Sequence, residues 1–409
     1  MTAHTTDLSS CTTAADQDIT DVTRSPGPFV VVHSLTTLAG VNLNRDMNDL
    51  PKMIPYGGVD RMRVSSQSLV RAAREFMRTD GTHDAHNALS TRLLPTKIAQ
   101  HLEEDHGKDP ADAVPAAALI VTATGLGINL TDPGRTRALT YVPDDTALRL
   151  SRLVASHWDK IRNAREQMEE LIADAISPPA TAQDTPAKKD SPAAALPGSL
   201  VSAARATLAP GTVEELAVFG RFLPEIPYGR VDSATDVAHG FSVDPLQLFS
   251  DDFTAKDDYQ DGGVFSGAGM LGQQYLVSGT LYRQAALDRR QLRKTLAHSG
   301  EDGATVEALA QRAERRWTNA VVRSLPSSKR SRTGSPPRPI LAVIATCDQA
   351  LTAAPAFESP ISPPAGIEAA QRLATRLRNA GLRGGVALWS APAGEHPPPL
   401  PEELTVEDW

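Results

Sequence analysis

Four groups of residues in the 409-residue chain carry side chains capable of chemistry, and each meets or fails the geometry its chemistry requires. Gly267–Gly272 (GAGMLG) has the glycine spacing of a dinucleotide-binding turn. Such a turn needs a strand before it and a helix after it, so that a helix N-terminus meets the pyrophosphate. The residues that follow here, LGQQYLVSGTLYR, are strand-like, so a turn into a strand is expected and no cofactor. His101, Glu104 and His106 (HLEEDH) have metal-ligating side chains, but histidines five residues apart do not share a helix face. A solvated helix end is expected there, and no metal. His33 beside Ser34 has neither a GxSxG elbow nor an evident third partner, and reads as a packed histidine at a strand end.

The fourth group is a concentration of cations among hydroxyls and amides. From Arg45 to Arg78 there are seven basic residues against four acids, and from Arg283 to Arg332 twelve against five. Acids gather elsewhere, as at Asp251, Asp252, Asp257, Asp258 and Asp261. Guanidinium, hydroxyl and amide groups together suit the non-covalent holding of phosphate. A solvated charged face is the plain alternative, but such faces favour Lys and Glu, whereas this one is built on Arg with Ser65, Ser66, Gln67 and Ser68 at a helix start. The run Ser327–Arg332 (SSKRSR) lies in a Gly/Pro loop and offers a second set of phosphate donors, Lys329 and Arg330 among them.

The elements that must position these groups follow from periodicity. Phe29–Leu35 is an apolar, β-branched strand; the polar stretch from Gly40 to Gly58 reads as a long loop. Val59–Val64 resumes as a strand in which Arg61 and Arg63 share one face and Met62 and Val64 the other. A helix from Ser66 to about Thr79 buries Leu69, Ala72, Ala73, Phe76 and Met77 and turns Arg71, Arg74 and Arg78 outward. Helices are expected over 88–105, 112–124 and 145–176, with a strand near 138–142, and 177–198 reads as a flexible Pro/Ala linker. A helix over 199–209 precedes a β-rich region, 211–284, containing a short helix near 234–239 and a strand at 271–283. Basic helices over 285–298 and 303–325, a loop at 327–339, a strand at 340–346, a helix at 366–380 and a strand at 386–389 complete an α+β fold, with a loose tail after Pro392.

Composition limits the function classes. Apolar residues are 41% of the chain, enough for a sizeable core, and no apolar run is long enough to span a bilayer. Two cysteines, Cys11 and Cys347, exclude a disulfide framework or a thiolate zinc cluster. The first 26 residues lack the apolar stretch of a secretory signal and read as a disordered leader, and a reducing cytoplasm is the expected compartment. The net charge of −8 argues against nucleic acid only on average, since a binding groove is local.

The stretch LNRDMND…YGGVDRMRVSSQSLVRA (43–72) resembles the N-terminal signature of the CasC family, the Cascade backbone subunits of type I-E CRISPR systems. FTAKDDYQDGGVFSGAGMLGQQYLVSGTLYR (253–283) resembles a second block of that family, and VFGRF (218–222), VAHGF (237–241) and SSKRSRTGSPPRPILAVI (327–344) are smaller matches in the same order. The resemblance implies a ferredoxin- or RRM-like palm with helical finger insertions and an extended thumb. The chain would divide into a leader (1–26), a first part of the palm (27–87), helical fingers (88–176), a linker (177–198), the palm return and thumb (199–284), a second part of the palm (285–346), a C-terminal helix and strand (347–391) and a tail (392–409). It also implies a non-catalytic subunit that binds crRNA, stacks with copies of itself and other Cascade subunits, and meets target DNA through the guide, with no membrane partner.

By position, Arg45, Lys52, Arg63, Ser65, Gln67 and Arg74 match the family's palm pattern; Arg61 and Arg71 lie on the same basic surface. Arg221 and Phe222 fall in the thumb-like match, where an apolar side chain could wedge against a base, and His239 matches an Ala-His pair. The sequence departs at Val70, where related chains often carry lysine. Three competing classes are an RNA-cleaving backbone subunit using Asp46, a nicotinamide-dependent oxidoreductase using Gly267–Gly272, and a plain interaction scaffold.

Overall fold

The computed structural model describes residues 26–79, 87–176, 192–223, 226, 229–255, 270–335, 337–390 and 394–409. The expected leader, most of the 177–198 linker and Gly267–Gly269 of the glycine motif lie outside them. The chain forms two compact units: the first draws on Met1–Thr82, Ala234–Arg290 and Ala310–Trp409, the second on His83–Ser233 and Gln291–Leu309.

In chain order the first unit opens with β1 (Phe29–Val41), β2 (Met53–Tyr56), β3 (Val59–Val64) and α1 (Ser66–Thr79). The second unit then supplies β4 (Ala88–Thr91), α2 (Leu94–Glu104), α3 (Pro110–Ala123), β5 (Thr140–Pro143), α4 (Thr146–Ser156), α5 (Trp158–Ala164), α6 (Glu166–Ile176), α7 (Gly198–Ala206) and α8 (Glu214–Phe219). The chain returns as β6 (Thr235–Val237), β7 (Gly240–Ser242), β8 (Gln247–Ala255) and β9 (Met270–Asp288). It continues through α9 (Arg289–Ala297), α10 (Gly303–Arg323), α11 (Arg330–Thr333), β10 (Leu341–Cys347), α12 (Gly366–Leu377), β11 (Leu382–Trp389) and β12 (Leu404–Asp408).

The first unit is built on a mostly antiparallel sheet in the order β12-β11-β10-β1-β9-β7-β3-β2, with β6 and β8 also paired to β9. β1 lies between β9 and β10, and Val30, Val31, Val32 and Leu35 are fully buried. That placement explains its near-continuous apolar run, the pattern of a strand covered on both faces. Ala369, Ala370, Leu373 and Leu377 of α12 pack with Val31, Leu35, Val343 and Ala345 in one core. From Leu276 to Met270 the β8–β9 pair continues as a two-stranded arm on which Phe249 and Leu271 are exposed.

The second unit is helical around α3, whose Ala113, Ala116–Val121 and Ala123 are buried. A helix apolar on all sides belongs at the centre of its unit. Asp109 caps it, accepting from Ala111 N at 2.9 Å, with Pro110 in the first turn. No described helix is long and apolar enough to cross a membrane.

The structure alters several sequence expectations. β1 runs on to Val41, and the supposed long loop holds β2, paired to β3 through Gly57–Gly58. Both glycines have positive φ, +63° and +81°, the conformation a two-residue hairpin turn demands. A Cβ at Gly57 would also collide with the carbonyl oxygen of Glu358. The helix expected at 234–239 is instead strand β6, with Thr235 opposite Leu287 on β9. The tail is not loose at its end: β12 pairs in parallel with β11.

Candidate nucleic-acid interface

The first unit gathers the loop between β1 and β2, α1 and the segment after α10 around a polar cavity of about 510 Å³. Asn44, Arg45, Asp46, Asp49, Ser68, Arg71, Glu75, Ser327 and Ser328 line it. Asn44 is the hinge pin of this arrangement. Its side-chain carbonyl accepts from Ser65 N at 2.9 Å and its backbone carbonyl from Lys52 N at 2.8 Å, while Lys52 O accepts from Arg63 N at 2.8 Å. Asn42 donates to Asp49 O and to Tyr275 O, which ties the loop to β9. The start of α1 is closed by Ser65 Oγ, accepting from Ser68 N at 3.3 Å, and by His239 Nδ1, accepting from Ser66 N at 2.8 Å.

The far wall is fixed from beneath. Arg283 on β9 is buried and donates to the carbonyls of Val321, Val322 and Ser324 at 2.6–3.1 Å, meeting the orphan carbonyls at the C-terminus of α10. Desolvation lowers its guanidinium to about 10. Arg316 likewise donates to Met77 O in the last turn of α1. These two arginines set where the chain leaves α10 and so where Ser327, Ser328 and Lys329 stand.

Electrostatically the cavity rim is organised by Asp49. Its carboxylate pairs with Arg45 on one oxygen and with Lys329 Nζ on the other, at 2.7 Å. The hydrogen bond from Lys329 is the main reason its carboxyl lies below the usual range, with Arg45 acting in the same direction. Asp49 and Lys329 are also the two non-glycine residues with positive φ among those described, at +64° and +55°. For lysine that conformation costs on the order of 1–2 kcal/mol and persists only where the surroundings impose it. Asp46 plays a different part, since its Oδ1 accepts from Asn48 N and Leu50 N and holds the loop's turn.

Of the residues singled out in the sequence, Arg45, Arg71 and Ser68 line the cavity, and Arg71 is 80% exposed with Glu75 as its helical partner at 2.7 Å. Gln67 and Arg330 are exposed, and Lys52, Arg63 and Arg74 are half-buried, Arg74 already engaged by other residues. Arg63 Nε and Ser328 Oγ are buried without a hydrogen-bond partner, each an unmet demand worth about 1–3 kcal/mol. Lys329 is only 11% exposed and bound to Asp49.

Two expected contact residues are corrected. Arg61 is 0% exposed and its guanidinium is fully taken up by carbonyls: Tyr56 at 3.1 Å, Ser242 at 3.0 Å, Val243 at 2.5 Å, and Phe357 and Glu358 at 3.2 Å. It stitches β2, β7 and the segment before α12, and cannot reach a ligand. Arg221 is buried in the second unit, donating to Gly229 O at 2.8 Å and Tyr141 O, and desolvation lowers it to about 10. Its neighbour Phe222 is 73% exposed, and both lie in the second unit and not on the β8–β9 arm. Ser65 is buried as a helix cap. Of the other motifs, His101 pairs with Asp105 at 2.8 Å, and His33 is buried against Tyr282 at 2.9 Å. From Met270 the glycine motif continues as strand β9. Sequence reasoning passed over Asp49, Arg283 and Arg316; only the mixed charge of the loop hinted at the first.

A model of the CT1975-like protein family matches residues 30–381. Among solved structures, a chain of a pre-nicking CRISPR RNA-guided surveillance complex is 26% identical, with a TM-score of 0.72, covering 93% of this chain and 96% of that one. A chain of a further CRISPR RNA-guided surveillance complex shares the fold at 24% identity and a TM-score of 0.61, covering 90% and 93%. No curated protein matches.

Proposed function

The chain belongs to the CT1975-like protein family, and from that premise we propose that it is the crRNA-binding backbone subunit of a CRISPR RNA-guided surveillance complex, of the type I-E kind and without catalytic activity. The observation that carries this reading is the polar cavity, where Asn44, Arg45, Ser68, Arg71, Ser327 and Ser328 come together from separate elements. Guanidinium, hydroxyl and amide donors hold phosphate and 2′-OH whatever the base sequence. A subunit that must accept any guide needs that property, since the guide itself reads target DNA by pairing.

In this reading the sheet unit is an RRM-like palm, the helical unit the fingers, and the β8–β9 arm the thumb. Copies stack head to tail along the guide in the cytoplasm beside the other Cascade subunits, an open heterologous association. RNA cleavage by Asp46 is the competing function. The Asp46 carboxylate is committed to the N–H groups of its own loop, which favours a structural role.

Co-expression with a CRISPR transcript and the partner subunits tests the proposal. A discrete guide-length RNA in a multimeric particle is expected. A monomer free of nucleic acid at low salt overturns it, and metal-dependent RNA cleavage lost in Asp46→Ala would establish the competitor.

A further inference from the structure

We propose that Asp49 is a resident anion in the guide-phosphate seat, holding Arg45 and Lys329 in place in the free protein and yielding them when a phosphodiester enters. The inference rests on the guide-binding reading above. One carboxylate bridges two cations that come from separate loops, Arg45 on one oxygen and Lys329 on the other. The two non-bridging oxygens of a phosphodiester present the same pair of acceptors. All three residues stand at the cavity, Arg45 and Asp49 in its lining and Lys329 next to lining residue Ser328.

The backbone points the same way. The two non-glycine residues with positive φ among those described are the two ends of this ion pair. Asp tolerates the left-handed region; Lys does not, so its placement is imposed by the loop in order to bring Nζ to this point. Ser328 Oγ, beside it, is buried without an acceptor. A phosphate, with more lone pairs than a carboxylate, would accept from Ser328 as well as from the two cations.

A tethered carboxylate is present at high local concentration, so a lone anion competes poorly with it. A guide held at many seats displaces it at each one. Asp49 thus biases the seat against isolated phosphate and toward long RNA.

The comparison is Asp49→Asn against wild type and Asp348→Asn. Asn keeps the side-chain shape and is at home at positive φ, while Asp348→Asn removes the same charge and breaks an exposed ion pair, with Arg383, outside the cavity lining. Fluorescence anisotropy of a guide-length single-stranded RNA over a range of salt gives affinity and slope. Exposed ion pairs are each worth up to about fivefold, so Asp49→Asn should bind about two- to tenfold tighter at low salt. Its log–log salt slope should steepen by about 0.7, one further phosphate neutralised, with Asp348→Asn near wild type. No gain in Asp49→Asn, or an equal gain in Asp348→Asn, overturns the inference while wild-type binding leaves the functional reading intact. Absence of binding by both wild type and Asp49→Asn overturns both. Asp49→Gly, which takes positive φ without strain, supplies the same comparison should the Asn variant fail to fold.

Discussion

Replacing Arg61 with methionine separates a structural arginine from those proposed to bind RNA. Arg61 and Arg63 alternate on β3 and look alike in sequence, yet Arg61 is 0% exposed with carbonyls of five residues around its guanidinium, while Arg63 is half-buried with an unpartnered Nε. Methionine roughly keeps the volume, so the cost comes from acceptors left dry. Some of those carbonyls have other donors, as Val243 O has Ile361 N. If two of the five lose their only partner at about 1–3 kcal/mol each, the loss is about 4 kcal/mol. That agrees with the roughly 3–5 kcal/mol of breaking a buried charged network. At about 2–4 °C per kcal/mol for a unit of this size, thermal unfolding followed by circular dichroism should drop by about 8–16 °C. Arg63→Met should melt within about 2 °C of wild type and lose RNA affinity. An Arg61→Met protein that melts like wild type but no longer binds RNA would refute the reasoning, placing Arg61 at the ligand and not inside the fold.

Other consequences are equally direct. Arg63→Glu should weaken guide-length RNA binding and flatten its salt slope by about 0.7 or more in an anisotropy titration; an unchanged slope removes Arg63 from the interface. His33 is buried, and desolvation lowers it to about 4 from an ordinary 6.5. The unfolded chain therefore takes up the proton first, so the contribution is full above pH 6.5 and is lost as pH falls toward 4, by about 3 kcal/mol in all. Melts from about pH 7.5 to about 4.5 should show a shallower pH dependence in His33→Gln than in wild type, and equal slopes would contradict it. Gly57→Ala puts a Cβ against Glu358 O at a φ of +63°. It should lower the melting temperature by several degrees, at about 1–3 kcal/mol for the strained backbone alone.

Elements whose period and boundaries are local were legible in the sequence. Val59–Val64 and Ser66–Thr79 carry their own alternation, cap and apolar stripe, and they occur at those residues. What distance decides was not. Gly40 and Val41 open the stretch that reads as loop, yet β1 runs on through them because β9 lies alongside, with Thr36 opposite Leu281 and Val41 opposite Val277. Thr235–Val237 follows β9 in the same way and against its local reading as helix. The candidate site divides similarly. Alternation told which face of β3 carries Arg61 and Arg63, but a period of two cannot say that β7 and the segment before α12 cover one end of that face. Arg71 and Arg45 could be picked from composition; Asp49, placed against Lys329 from far along the chain, could not.

An acidic chain can hold a polyanion if its cations are mounted rigidly and its acids are kept away from them, or made to serve them. Asn44 joins the β1–β2 loop to the start of α1 and to Lys52, and Arg283 and Arg316 lock α10 and α1. The donors are therefore presented by fixed elements and lose little entropy on binding. Asp251 is engaged on the arm by Gln274 at 2.6 Å and is not among the cavity-lining residues. A strongly cationic surface would collect any nucleic acid, at an affinity set by charge alone. A net charge of −8 opposes that general attraction, which under the proposed function leaves local geometry to select the guide.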